Sequence, residues 1–181
     1  MSILFENHEK FKCSIGHFIM RFAELEFSLL YFCGIVDNPI DLNLGISLNL
    51  KLTFNERQKK ISKFIKNEIP ELQDKWNLIN SKLGQINLER NFLVHGIGQT
   101  SFYQDSIRAF ITRKESVKVK EFSIIEIKKL SNDISNLLTG VNGLSGEFLI
   151  AFNTKRLDLF NRNTDNENKI IYQVDSKILT E

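Results

Sequence analysis

Phe11, Ile15, Phe18, Phe22, Leu25, Leu29 and Phe32 recur at steps of three and four residues, with polar or charged positions between them. That spacing lines one face of a helix and predicts a long amphipathic element from about residue 5 to 34, stopped near Gly34. The next stretch, "VDNPIDLNLGISLNL", has no sustained period. Asn38-Pro39 and Gly45 mark it as a loop or a short helix with turns. "TFNERQKKISKFIKN" opens on Thr53 with Glu56 three residues later, a capping box, and carries Phe54, Ile61, Phe64 and Ile65 inward on a second long helix. Pro70 suits a first helical position. From there Leu72, Trp76, Ile79, Leu83, Ile86, Phe92 and Leu93 predict a third helix that runs to His95 and stops at Gly96, read as its C′ residue.

The period changes after Gly98. Ile107, Ala109 and Ile111 alternate with Arg108, Phe110 and Thr112, and Val117 and Val119 with Lys118 and Lys120. This predicts a β-hairpin over about residues 100–122, turning at "RKES". Ser123 and Glu126 form a second capping box, opening a fourth helix with Ile124, Ile127, Leu130, Ile134, Leu137 and Leu138 on one face and an end near Gly140. "GEFLIAFNTKRLDLF" reads as a further short helix, "NRNTDNENK" as a polar linker, and "IIYQV" as strand-like. The architecture expected is mainly α. An antiparallel four-helix bundle over residues 1–145 holds a small hairpin between its third and fourth helices, and a short helix and polar tail occupy 146–181.

Composition agrees with this plan. A chain of 181 residues, 42% hydrophobic and 25% charged, can bury one real core, and its two prolines leave long helices uninterrupted. The net charge of +2 does not by itself point to nucleic acid. Its distribution is uneven, however. Residues 1–50 are acidic, whereas 51–66 carry Lys51, Arg57, Lys59, Lys60, Lys63 and Lys66 against Glu56 alone, and 108–120 carry Arg108, Arg113, Lys114, Lys118 and Lys120 against Glu115. Arg57, Lys60, Lys63, Arg108, Lys118 and Lys120 are therefore the candidates for an RNA-binding surface; the plain alternative for each is a solvated face.

Cys13 and Cys33 both fall on the first helix, roughly 30 Å apart at ~1.5 Å per residue, so they cannot pair within one chain. They read as small core residues of a reduced protein. The three histidines, His8, His17 and His95, have no clustered partners, so no metal and no other cofactor is expected. The first residues carry charges where a secretory leader needs an apolar run, and the longest apolar run, "FSLLYFCGIV", is too short to span a bilayer. A cytoplasmic protein without membrane association is expected.

The chemistry concentrates in "ERNFLVHGIG", residues 89–98. Asn91 and His95 are four apart and share a helix face, with Arg90 about 100° round. Cleaving RNA without a metal needs a base for the 2′-hydroxyl proton, an acid for the leaving 5′-oxygen, and positive charge at the crowded phosphorus. An imidazole suits either proton transfer. A guanidinium suits the non-bridging oxygens, and Asn91 would orient the phosphate or His95. One such motif holds one imidazole, so full acid–base catalysis needs a second His95 from a partner subunit. The structural alternatives are that His95 caps the last carbonyls of its helix and that Arg90 pairs with Glu89 or with an acid on another helix. Trp76 and the Phe stripe likewise read as core before they read as a stacking platform or a partner groove.

Arg90-Asn91-Phe92-Leu93-Val94-His95 at the end of the third helix of a bundle resembles the R-x(4–6)-H motif of the HEPN superfamily, and "RNxLVHG" followed by a hairpin resembles a bacterial branch of it. The resemblance covers roughly residues 10–140. It implies a compact helical bundle acting as a metal-independent endoribonuclease, in the manner of toxins and phage-defence effectors. Arg90, Asn91 and His95 would be the catalytic groups, two motifs would meet in one homodimer cleft, and a cognate antitoxin or other partner protein would accompany it. Inactive members imply the alternative, a dimeric interaction module that binds RNA, a nucleotide or a partner protein. One toxin branch places a Tyr two residues after the motif His, where a partner nucleotidyltransferase modifies it. That place is Ile97 here, and Tyr103 does not fit the pattern.

Overall fold

The computed structural model describes residues 3–99, 106–113, 116–140, 143–159 and 161. The protein is mainly α, with a small antiparallel sheet inserted before the last long helix. In chain order the elements are α1 (Ile3–Asp37), α2 (Leu42–Leu48), α3 (Phe54–Glu68), a single 3-10 turn (Pro70–Leu72), α4 (Gln73–His95), β1 (Ile97–Gln99), β2 (Ser106–Arg113), β3 (Ser116–Ser123) and α5 (Ile124–Thr139). A wide, kinked turn at Leu144–Phe148 then leads into α6, residues 149–159. The expected "IIYQV" strand, the "NRNTDNENK" linker beyond Asn161, Tyr103 and the turn residues Lys114 and Glu115 lie outside the described residues.

Both capping boxes form as their sequences require. Thr53 accepts from the Glu56 N–H while the Glu56 carboxylate accepts from the Thr53 N–H, and Ser123 and Glu126 do the same for α5. Donors left over at a helix start are thus satisfied reciprocally. Pro70 opens the 3-10 turn rather than α4 itself. α1 does not stop at Gly34 but runs three residues past it. This glycine serves a helix crossing instead, since a Cβ on Gly34 would stand 2.9 Å from Ile46 Cγ1 and one on Gly45 would overlap the Gly34 carbonyl. α2 can therefore lie directly on the end of α1.

Phe11, Phe18, Phe22, Leu25, Leu29 and Phe32 of α1 are all buried, together with Phe54, Ile61, Phe64 and Ile65 of α3 and Trp76, Ile79, Leu83 and Ile86 of α4. α1 packs against α2, α3 and α5 and touches α4, and α3 packs against α4. The core continues past residue 145. Phe148 lies against Trp76, with ring centroids 6.1 Å apart, and Phe152 stands between Phe32 and Phe64 at 4.6 and 5.0 Å. Two tilted aromatic contacts hold α6 to α1 and α3 through one fully buried ring.

Polar seams join the helices as well. Asn49 is fully buried; its Nδ2 lies 2.7 Å from the Asp37 carboxylate and 2.7 Å from the Gly45 carbonyl, and its Oδ1 accepts from Lys60. The Trp76 indole N–H donates to Ser62 Oγ at 2.7 Å, fixing Trp76 as a core anchor. Cys33 is buried, but Cys13 is exposed, which corrects its reading as a core residue: it falls on the outer side of α1.

The sheet has three strands in the order β1-β2-β3, all antiparallel, so a short strand is added to the expected hairpin. Its register pairs Ile107 with Phe122, Ala109 with Lys120 and Phe110 with Val119. Ile107, Ala109 and Phe122 are buried against the helices, which leaves Lys120 on the inner face and Val117 and Val119 on the outer, exposed one. The parity of β3 is set by Phe122 entering the core, not by its valines.

Candidate active site

α4 carries the motif, and its buried stripe decides where Arg90 points. Ile79, Leu83 and Ile86 face the core, and Arg90, four residues after Ile86, takes the next place on that stripe. An ionic side chain thus continues an apolar seam at its open end. The guanidinium lies over the Phe22 ring, 5.3 Å from its centroid, and Phe22 in turn stacks on Phe54 at 5.3 Å. A desolvated cation over an aromatic face is attracted by the ring quadrupole.

From this perch Arg90 reaches both partners that the helix spacing offers. Its Nη1 donates to His95 Nε2 at 3.0 Å and lies 3.4 Å from Asn91 Oδ1. A guanidinium can only donate, so a hydrogen bond here has Nε2 as its acceptor. Arg90 is half-buried and His95 exposed. The backbone spacing alone sets Arg90 apart from the Asn91–His95 face; the long side chain closes that gap.

Neither structural alternative describes these contacts. Glu89 pairs with Lys120 of β3, not with Arg90, and among the described residues no carboxylate lies within ion-pair distance of Arg90. Its Nε and Nη2 have no protein acceptor among the described residues. The guanidinium therefore holds donors free for an anion. The described partner of His95 is Arg90 rather than a carbonyl of the last turn.

Gly96 sets where the sheet meets this end of α4. Its φ of −69° and ψ of 130° are extended, not left-handed, so its expected role as a C′ glycine is replaced by another. A Cβ there would overlap the Phe92 carbonyl and stand 2.9 Å from Ala109 Cβ. Glycine lets β2 close against the helix end. β1 then pairs with β2, and Lys120, opposite Ala109, comes within reach of Glu89.

The six candidate RNA-binding residues lie on two parts of the fold, Arg57, Lys60 and Lys63 on α3 and Arg108, Lys118 and Lys120 on the paired strands β2 and β3. Lys60 bonds Asp37 and Asn49 at the junction of α1, α2 and α3. Arg57 Nη2 lies 3.4 Å from the Leu50 carbonyl, and Lys120 is tied to Glu89. Arg108 pairs with Glu121 at 3.2 Å, and bonds from the Ser106 hydroxyl and Arg108 hold the Glu121 carboxyl below the usual range. Lys63 on α3 and Lys118 on β3 are exposed and unpaired among the described residues. Sequence charge runs do not reveal which lysines are already engaged; in Lys60 and Lys120 only long-range contacts decide it.

Among the described residues no cluster of three or more His, Cys, Asp or Glu could hold a metal ion, and no helix is long and apolar enough to cross a membrane. Comparison with models of known families, with curated proteins and with solved structures finds no match to this chain.

Proposed function

We propose that this chain is a metal-independent endoribonuclease of the HEPN type, a four-helix bundle working as a homodimer in the manner of a toxin or phage-defence effector. The observation that carries the reading is the Arg90–His95 contact: a permanently charged fork with unused donors, 3.0 Å from an imidazole nitrogen, at an accessible helix end. In the resting chain Arg90 occupies the Nε2 lone pair. A phosphate that draws the guanidinium onto its non-bridging oxygens releases Nε2, which then takes the 2′-hydroxyl proton as that oxygen attacks phosphorus. The cyclic phosphate forms as the 5′-oxygen leaves with a proton from the partner subunit's imidazole, which starts this step as the imidazolium with its own Arg90 turned away, so that the base ends protonated and the acid neutral. Asn91 positions the Arg90 fork. The test is cleavage of single-stranded and transfer RNA in EDTA by the full chain, compared with His95→Ala and Arg90→Ala. Activity lost in both folded variants supports the proposal; intact RNA at every concentration of the parent chain overturns it.

A second reading, an inactive dimeric module that binds RNA, a nucleotide or a partner protein, is favoured by one feature. His95 Nε2 is already engaged by Arg90 of its own chain. In that case His95→Ala alters stability or binding, and no RNA is cut by either form.

A further inference from the structure

A groove of about 770 Å³ lies between α4 and α5. Ile79 and Ile86 on one wall and Leu130 and Leu137 on the other form its floor. Each pair is seven residues apart, the spacing that two helices present to a third lying between them. From Lys75 to Glu89 the groove runs fourteen helical residues, about 21 Å at ~1.5 Å each, or four turns of an incoming helix. Leu78 stands at its mouth with 71% of its surface exposed.

Two of the rim's charges are already used inside the chain, since Lys75 pairs with Glu147 and Glu89 with Lys120. Lys82 and Lys129 are exposed, one on each wall, and among the described residues neither has a carboxylate within ion-pair distance. Asp133, half-buried, is the one groove carboxylate without such a partner among the described residues. The unpaired charge offered to an occupant is therefore Lys82 on the α4 wall and Lys129 with Asp133 on the α5 wall, a net positive charge beside an apolar floor.

We propose that this groove docks an amphipathic helix of a partner protein, apolar on its buried face and carrying carboxylates on the flanks that meet Lys82 and Lys129. The groove uses neither Arg90 nor His95, so this inference stands or falls apart from the nuclease reading.

The test is fluorescence anisotropy of the full chain with a stapled helical peptide of about fourteen residues, leucines at heptad positions and glutamates on the flanks, and with a twin bearing lysines in place of the glutamates. The glutamate peptide binds, and its twin binds about tenfold more weakly. The double variant Lys82→Glu/Lys129→Glu keeps its circular dichroism and reverses that order, and Leu78→Ser weakens both. Equal binding of the twins, an unchanged order in the double variant, or no binding of either overturns the proposal. So does displacement of the peptide by equimolar decanoate, which makes the groove a small-amphiphile pocket. Self-association abolished by the double variant also overturns it, because the occupant is then a second copy.

Discussion

Arg90→Leu separates a working arginine from a structural one. The substitution removes one hydrogen bond from the charged guanidinium to the exposed His95, about 1.5 kcal/mol at the low end for a charged donor, and the contact with the Phe22 ring, about 0.5–1 kcal/mol. Leucine in this half-buried place, extending the stripe of Ile79, Leu83 and Ile86, recovers about half of the ~1.5–3 kcal/mol that full burial gives. Helix propensity is nearly the same for the two residues. The net cost is therefore about 1 kcal/mol, and no more than about 2 kcal/mol. A buried ionic strut would behave differently, because stripping one partner from such a pair costs about 3–5 kcal/mol. Urea unfolding followed by circular dichroism at neutral pH, read beside RNA cleavage in EDTA, decides the matter. The expected result is a slightly lowered midpoint with cleavage abolished. A loss above about 3 kcal/mol would refute the reasoning, since it makes the guanidinium part of the scaffold. Cleavage retained by the variant would refute the assigned role.

Three further outcomes follow from the packing. Phe152→Ala empties the fully buried place between Phe32 and Phe64 and should cost about 3–5 kcal/mol in the same urea assay; a loss below 1 kcal/mol would mean that α6 is not part of the cooperative core. Thr53→Ala removes the N-cap of α3, costing about 1 kcal/mol at neutral pH. The Thr53 hydroxyl and N–H hold the Glu56 carboxyl below its ordinary 4.5, so its contribution is present above that value and lost as pH falls through the lowered one. The variant should therefore show a shallower loss of stability on acidification, checked by urea midpoints down the acid limb; an unaltered slope counts against the capping box. Burial pushes the Cys33 thiol up to about 11, whereas Cys13 is exposed, so iodoacetamide should label one cysteine in the native chain and two after unfolding, read by mass spectrometry. Labelling of Cys33 in the native chain contradicts its placement.

Helices are the part of this molecule that local order makes readable. Heptad-like spacing of Phe11 through Phe32, the Thr53–Glu56 and Ser123–Glu126 boxes and the strip from Trp76 to Ile86 each follow from interactions within a few residues, and all reappear in the structure. The motif itself, Arg90 to His95, was likewise visible, because its members lie within two turns of one helix. The features that depend on a distant neighbour were not. That Gly34 and Gly96 serve close approaches, that Cys13 faces outward, that β3 turns Lys120 inward and its valines out, and that Lys60 and Lys120 are already paired all depend on elements brought together from far along the chain.

One residue shows the division clearly. Sequence alone determined that Arg90 and His95 end the same amphipathic helix, because a 3.6-residue turn needs no tertiary partner to define its faces. Only the folded chain decided that Arg90 takes the last place on the buried stripe, above Phe22 from α1 and free of Glu89, which Lys120 from β3 has claimed. Helical periodicity is a property of neighbours in sequence; what stands opposite each face, and which charges are left unpaired, is settled by packing between segments tens of residues apart.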